Sequence, residues 1–429
     1  MGRDRVHVHG HIAADPAAVW AVARDFGGAW HPWIATIGTE RDAKGHLIRA
    51  FTVTGEDTLY REQQTYLSDS DRVLAYTHLD GIAGAESYDA RLTVSPSDAG
   101  GTIVTWTATI AAPAARLSQI CDGTRAVFQA GIDALRLAPT PPAEPPPNTP
   151  TPLPTTDITI DARPRLGLSL TPDRGDDRLC LFLHGIGGNR RNWQAQLGAA
   201  GHHIRAAALD LRGYGDSTLG PRGSTVDDYC ADILRVAETL GARRLVLVGL
   251  SYGSWIATSF AMRHPDLLDG LVLSGGCTGM SEAGPEEREA FRLSREVPLN
   301  AGQVPADFAP AVVKVLAGPD ATDAIKADLH ASMAAIPATT YRDALLCFTN
   351  PLERFDFSRL TMPVLMMTGE HDRLAPPAEI RSVAGRIWDN TPRPDVRFEV
   401  IQGVGHVCNI EAPDAYNRHL TTFLQGLPA

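Results

Sequence analysis

Three segments of this chain carry residue types able to perform nucleophilic chemistry. In the first, the apolar run RRLVLVG leads into Gly249-Leu250-Ser251-Tyr252-Gly253 and then into SWIATSFAMRHP. A serine flanked at two positions either side by glycine, between a β-branched strand and an apolar helix, is a G-x-S-x-G turn. Larger side chains at the glycine positions would strike neighbouring backbone, while the serine is held strained with its hydroxyl lifted clear. A serine hydroxyl is a weak nucleophile until an adjacent base takes its proton. The second and third segments offer that machinery: PVLMMTG ends in Gly369-Glu370-His371-Asp372, and FEVIQ runs into Gly403-Val404-Gly405-His406. The chemistry these residues could perform together is acyl transfer through a covalent serine intermediate.

Other reactive residue types read more simply. His7, His9 and His11 alternate with Val6, Val8 and Ile12 along one strand, and three ligands from one element are a poor metal site, so a solvated strand face is expected. Trp30, His31, Pro32 and Trp33 suit the core or mouth of a fold. Cys121, Cys180, Cys230, Cys277, Cys347 and Cys408 stand singly among apolar or small residues without a C-x-x-C pair, which predicts reduced, buried thiols.

The elements that must position these residues fall in two blocks. At 429 residues the chain exceeds what one core holds, and from Ala138 to Thr156 it reads APTPPAEPPPNTPTPLPTT, a run able to make neither helix nor ladder. This predicts a Pro-rich linker over 138–156 between a domain at 1–137 and another at 157–429. In the first block a strand at Val6–Ile12 precedes a helix capped by Asp15. Strands are expected around Leu47 to Thr54, Thr58 to Tyr66, Val73 to His78, Tyr88 to Val94 and Thr102 to Ile110, then one long helix after Pro113. In the second block eight apolar runs alternate with helical stretches: Ile158–Ile160, Leu166–Leu170, Leu179–Leu183, Ile204–Leu209, Leu245–Gly249, Leu271–Ser274, Val364–Thr368 and Arg397–Ile401. That pattern predicts a mostly parallel sheet covered on both faces, with ligands at the carboxyl ends of its strands.

Composition narrows the class. Hydrophobic residues at 44% and charged residues at 21% are those of a globular protein, and a net charge of −11 works against a grip on nucleic acid or an anionic membrane. The absence of an apolar leader or spanning stretch makes a cytoplasmic location the default expectation.

Two resemblances sharpen these readings. DPAAVWAVARDFGGAWHPWI, TLYREQQTYL and GGTIVTWTATI resemble the START-like helix-grip superfamily, in particular the polyketide cyclase/dehydrase-like SRPBCC proteins. This implies an α+β domain with a hydrophobic cavity for a small apolar ligand. The G-x-S-x-G turn, the loop Leu183-His184-Gly185-Ile186-Gly187-Gly188, the turn Asp210-Leu211-Arg212-Gly213-Tyr214-Gly215-Asp216-Ser217 and the segment from Gly405-His406 through Asn409, Glu411 and Pro413 resemble the α/β-hydrolase fold. There the resemblance implies Ser251 as nucleophile, Asp372 rather than Glu370 as the acid, and His406 as base. It implies an oxyanion hole from the backbone N–H groups of Ile186 and Tyr252, and a bracing role for His184. The residues from about 277 to 360 resemble the helical cap of that fold, with Leu345, Leu346 and Phe348 as candidate pocket residues. The expected activity is hydrolysis of a small apolar carboxylic ester or lactone through an acyl-enzyme, with no cofactor and no metal. A serine at this position stands against the dehalogenase and epoxide-hydrolase branches, which place a carboxylate there. A C–C bond (β-diketone) hydrolase and a ligand-binding or delivery protein are the alternatives.

Overall fold

The computed structural model describes residues 1–136 and 153–428. Most of the expected linker therefore lies outside the described residues. Two compact units are distinguished, one built on the first block and one mainly on the second.

Among the described residues the first block contains seven strands: β1 (Gly2–Ile12), β2 (Ile34–Arg41), β3 (Leu47–Val53), β4 (Leu59–Ser68), β5 (Val73–Asp80), β6 (Ser87–Pro96) and β7 (Thr102–Ala112). They pair antiparallel in the order β1-β7-β6-β5-β4-β3-β2. Helix α1 (Pro16–Ala23) starts where expected, with the Asp15 side chain accepting from the Ala17 N–H at 2.8 Å. Helix α2 (Ala114–Leu135) lies on β1 and β7 and buries Ile120, Phe128, Ile132 and Leu135 against the inward-facing residues of β7. In β7 burial alternates at every position, the period-2 signal that made it legible. β2 has no such alternation and is largely exposed, so no apolar run announced it. His7, His9 and His11 stand exposed on β1.

The second block carries β8 (Thr156–Ile160), β9 (Leu166–Leu170), β10 (Arg178–Leu183), β11 (Ala206–Leu209), β12 (Arg244–Leu250), β13 (Leu268–Ser274), β14 (Val364–Gly369) and β15 (Val396–Ile401). Each answers one of the eight expected runs. Its sheet runs β15-β14-β13-β12-β10-β11-β9-β8. Strands β10 to β14 pair in parallel, and β8 and β9 form the antiparallel start. The parallel strands are buried along their length except at the opening Arg178 of β10 and Arg244 of β12, as helices on both faces require. Those helices are α3 (Gln194–Gly201), α4 (Val226–Thr239), α5 (Tyr252–Arg263), α10 (Pro377–Asn390), α11 (Cys408–Glu411) and α12 (Pro413–Gln425).

Between β13 and β14 four helices are inserted: α6 (Pro285–Asn300), α7 (Pro305–Leu316), α8 (Asp323–Ala334) and α9 (Ala338–Thr349). They occupy the expected cap region, about 277–360. Among the described residues all six cysteines are free and buried, and no helix is long and apolar enough to cross a membrane.

Candidate active site

Ser251 sits between β12 and α5 with φ +55°, one of two non-glycine residues with positive φ among the described residues. Backbone bonds over-determine this strained position. The Ser251 N–H donates to the Ser274 carbonyl at 2.7 Å, and its carbonyl accepts from the Trp255 N–H at 3.1 Å. A Cβ on Gly249 would stand 2.5 Å from the Gly253 backbone, and one on Gly253 would press into the Leu183 carbonyl. The two flanking glycines are thus required by close approach of β10 and α5.

His406 follows β15 on a loop fastened at several points. Its own N–H donates to the Leu316 carbonyl at the end of α7, at 2.8 Å. Its ring Nδ1 lies 2.9 and 3.0 Å from the two carboxylate oxygens of Asp372. Both residues are buried, His406 at 3% and Asp372 at 4% exposure. Asp372 Oδ1 also accepts from the backbone N–H groups of Leu374 at 2.8 Å and Ala375 at 2.9 Å. Burial pushes the Asp372 carboxyl up, but the hydrogen bond and charge of His406 and the two N–H donors outweigh it and hold the group below its ordinary value. An ionised carboxylate can only accept, so Nδ1 carries the imidazole proton and Nε2 is left with its lone pair.

Glu370, the rival acid, is directed elsewhere: it is half-exposed and accepts from the Gly403 N–H at 3.0 Å. His184 is no free base either. It is fully buried, its Nδ1 donates to the Gly185 carbonyl at 2.8 Å, and its Nε2 accepts from the Leu211 N–H at 3.0 Å. It braces the loop that holds Ile186. The turn from Asp210 to Ser217 is likewise packed, with buried Asp210 ion-paired to Arg190.

Ser251 and His406 line one cavity of about 230 Å³, together with Ile186 and Tyr252. As the first residue of α5, Tyr252 has a backbone N–H with no acceptor inside its helix. All four inserted helices contribute to the wall, through Phe291, Val312, Met333 and Phe348 among others. Of the three pocket residues expected on α9, only Phe348 is there. Leu345 is fully buried outside the lining, and Leu346 is 38% exposed. The reason is helical phase: at about 100° per residue Leu346 lies some 160° round from Phe348 and Leu345 about 60° aside. Tyr341, seven residues before Phe348, shares its face and lines the cavity instead. Arg295 and Glu379 also line it; the i, i+4 spacing of Phe291 and Arg295 was the available signal for the former.

Glu411 has a role that its sequence pattern did not disclose. One carboxylate oxygen accepts from the Gly405 N–H at 3.1 Å, beside His406, and the other from the Gly318 N–H at 2.8 Å, just past α7. Burial pushes this carboxyl up, and the backbone donors oppose that. Glutamine can accept only one of those bonds, so Glu411→Gln is expected to destabilise the protein by about 1–3 kcal/mol. Urea unfolding of variant and parent checks this, with an unchanged midpoint as the contrary result.

The first unit encloses a cavity of about 510 Å³ walled by Trp30, Trp33, Tyr76, Tyr88 and Trp106. It is less apolar than the resemblance implies, because the buried pair Arg49–Glu62 also faces it, with Arg49 Nε donating to Glu62 at 2.7 Å. The Arg49 guanidinium lies 4.4 Å from the Phe26 ring centre and 5.0 Å from that of Tyr76. His31 lines the cavity with both ring nitrogens engaged, Nε2 donating to the Val127 carbonyl at 3.0 Å and Nδ1 accepting from the Trp33 N–H at 3.2 Å.

Comparison with known proteins agrees with both architectures. Residues 180–419 match the model of the alpha/beta hydrolase family, and residues 3–138 match that of polyketide cyclase/dehydrase and lipid transport proteins. Among curated relatives, 2-(acetamidomethylene)succinate hydrolase of Mesorhizobium japonicum is 27% identical over 264 residues, covering 59% of this chain and 90% of its own. Epoxide hydrolase 3 of Xenopus tropicalis is 27% identical over 281 residues, covering 58% and 73%. Among solved structures, a thermophilic esterase from Thermogutta terrifontis superposes with a TM-score of 0.55 at 26% identity, covering 63% of this chain and 98% of its own. With the match spanning more than half its length, the chain belongs to the alpha/beta hydrolase family and carries a polyketide cyclase/dehydrase-like unit ahead of the hydrolase domain.

Proposed function

We propose that this hydrolase cleaves a small carboxylic ester or lactone through an acyl-enzyme on Ser251. The observation that carries this reading is the Asp372 carboxylate on Nδ1 of His406, 2.9 Å away, with His406 and Ser251 lining one cavity. In the proposed cycle Nε2 of His406 takes the Ser251 proton as Oγ attacks the carbonyl carbon. The same proton passes to the leaving oxygen as the alcohol departs, and water, deprotonated by His406, then releases the acid. The N–H groups of Ile186 and Tyr252 hold the tetrahedral oxyanion, each such donor contributing about 2.7–4 kcal/mol in comparable sites. Asp372 orients the imidazole and stabilises its cation without taking the proton. A fluorophosphonate probe is the direct test: peptide mapping should find a single adduct on Ser251, and an adduct elsewhere or none would remove the assignment.

We further propose that the first unit, bounded at about residue 137 by a Pro-rich linker over 138–156, holds a small planar ligand. Its aromatic-walled cavity supports this. Gly123 lies on that cavity, and a Cβ there meets nothing within 4 Å. Gly123→Trp is therefore expected to block the mouth and weaken binding of 1-naphthol by about 10-fold or more, read as quenching of tryptophan fluorescence in the full chain. Equal quenching of variant and parent would count against the site.

A further inference from the structure

The cap presents a cation to the cavity that the proposed cycle leaves unused. Arg295 lies one turn beyond Phe291 on α6, and both line the cavity shared by Ser251 and His406. Its guanidinium is centred 3.6 Å from the Phe291 ring centre. Nη1 donates to the Phe291 carbonyl at 3.2 Å and to the Ser294 hydroxyl at 2.6 Å. The phenol of Tyr341, on the cavity-facing side of α9, is a further hydrogen-bonding neighbour. Every one of its hydrogen-bond partners is a neutral oxygen, and its remaining partner is the Phe291 ring. Among the described residues no acidic side chain forms an ion pair with Arg295, whereas Arg292 on the same helix is held by Glu289 and Glu296.

The opposite polarity is found on the core side. Glu379 of α10 lines the cavity; burial pushes its carboxyl up, and Asp372, Glu282 and Glu287 push it further. That weakens the charge it can offer a cationic ligand. A guanidinium, by contrast, keeps its charge at any working pH and suits a carboxylate's two oxygens. An anionic substrate group is thus repelled from the Asp372 side and drawn toward the cap. Arg295 is half-buried, so a ligand carboxylate gains there through charge-assisted hydrogen bonds rather than through relief of a fully buried charge.

We propose that Arg295, with Tyr341, forms a subsite for an anionic group, so that the substrate is an ester or lactone bearing a carboxylate remote from the scissile carbonyl. This rests on the acyl-serine reading, and identifies Arg295 as a residue that sets specificity, outside the reacting atoms.

Two esters of equal chain length test it on the full chain: the mono-p-nitrophenyl ester of glutaric acid and p-nitrophenyl valerate. The parent should prefer the anionic ester in kcat/KM by about 10- to 100-fold. Arg295→Met should bring that ratio close to one, the loss lying in KM, while Arg295→Lys retains part of it. A parent without preference for the anion, or an Arg295→Met variant that keeps it, would overturn the subsite. Should Arg295→Met fail to fold, Arg295→Gln reads the same ratio. Should neither ester turn over, calorimetric titration with monomethyl glutarate decides. Binding that disappears in the Arg295 variant would uphold the subsite and reject the ester reading, and no binding to the parent would reject the subsite.

Discussion

Ser251→Ala is expected to lower kcat on a small ester by about 10⁴- to 10⁶-fold, with thermal unfolding within a few degrees of the parent. The size of the effect follows from losing the only atom able to form the acyl bond in the proposed cycle. What remains is oxyanion stabilisation and substrate positioning, worth about 10³–10⁴ over water in comparable enzymes. Stability should survive because the hydrogen bonds that fix this position are made by the backbone of Ser251, to Ser274 and from Trp255. Alanine keeps the same Cβ at φ +55°, so the strain of the turn is not increased. Stopped-flow burst kinetics with a p-nitrophenyl ester checks both phases. A variant that retains a burst would show that the acyl group is carried elsewhere.

The residues of this site were legible because each lies where an apolar run stops. Strands β10, β12, β14 and β15 are buried, and the turns after them carry Ile186, Ser251, Asp372 and His406. A pattern that marks the strand end therefore marks the turn. Choosing Asp372 over Glu370 took a resemblance, since both are carboxylates on one turn. Their difference emerges only in three dimensions, where Glu370 reaches Gly403 and Asp372 reaches His406. Cap residues were less legible for a reason of geometry. Sequence offers Leu345, Leu346 and Phe348 as an apolar cluster in the cap, but neither the helix that carries them nor the rotation at which it meets the cavity, and an error of two positions turns a lining residue outward. Leu346 and Tyr341 illustrate both sides of that error. β2 escaped notice for the opposite reason: with few buried positions, the pairing with β3 holds it in the sheet without an apolar stripe.

The polarity of the cavity follows from the same division of labour. Its floor comes from turns held at the ends of the sheet strands, whereas its roof comes from the four inserted helices. The proposed cycle thereby separates chemistry from selectivity, as expected where function is carried by the site rather than by the fold. On the proposed reading, substitutions in the roof should change which substrate is cleaved, and those in the floor whether any is.

Asp372→Asn is expected to cost about 10⁴-fold in kcat, against a change of only a few-fold for Glu370→Gln. The argument rests on how an amide must sit in this particular pocket. Two backbone N–H groups, of Leu374 and Ala375, donate to Oδ1, so the asparagine carbonyl oxygen is required there. Its NH₂ then replaces Oδ2, 2.9 Å from Nδ1 of His406. An N–H facing Nδ1 must donate, which moves the imidazole proton to Nε2 and removes the lone pair needed to accept the Ser251 proton. Stability carries a second signature of the same charge. Because the native Asp372 carboxyl is held below its ordinary value, its stabilising contribution is complete at pH values above the unfolded carboxylate pKa of about 4 and is lost as pH falls through the native value. Parent and Asp372→Asn should accordingly differ in unfolding midpoint at pH 7 and converge in acid. Glu370→Gln changes neither property much, since a glutamine oxygen can still accept from the Gly403 N–H in that half-exposed place. Kinetics of the two variants, with urea unfolding at pH 7 and below pH 4, provide the comparison. A Glu370→Gln defect equal to or larger than that of Asp372→Asn would transfer the role of acid to Glu370.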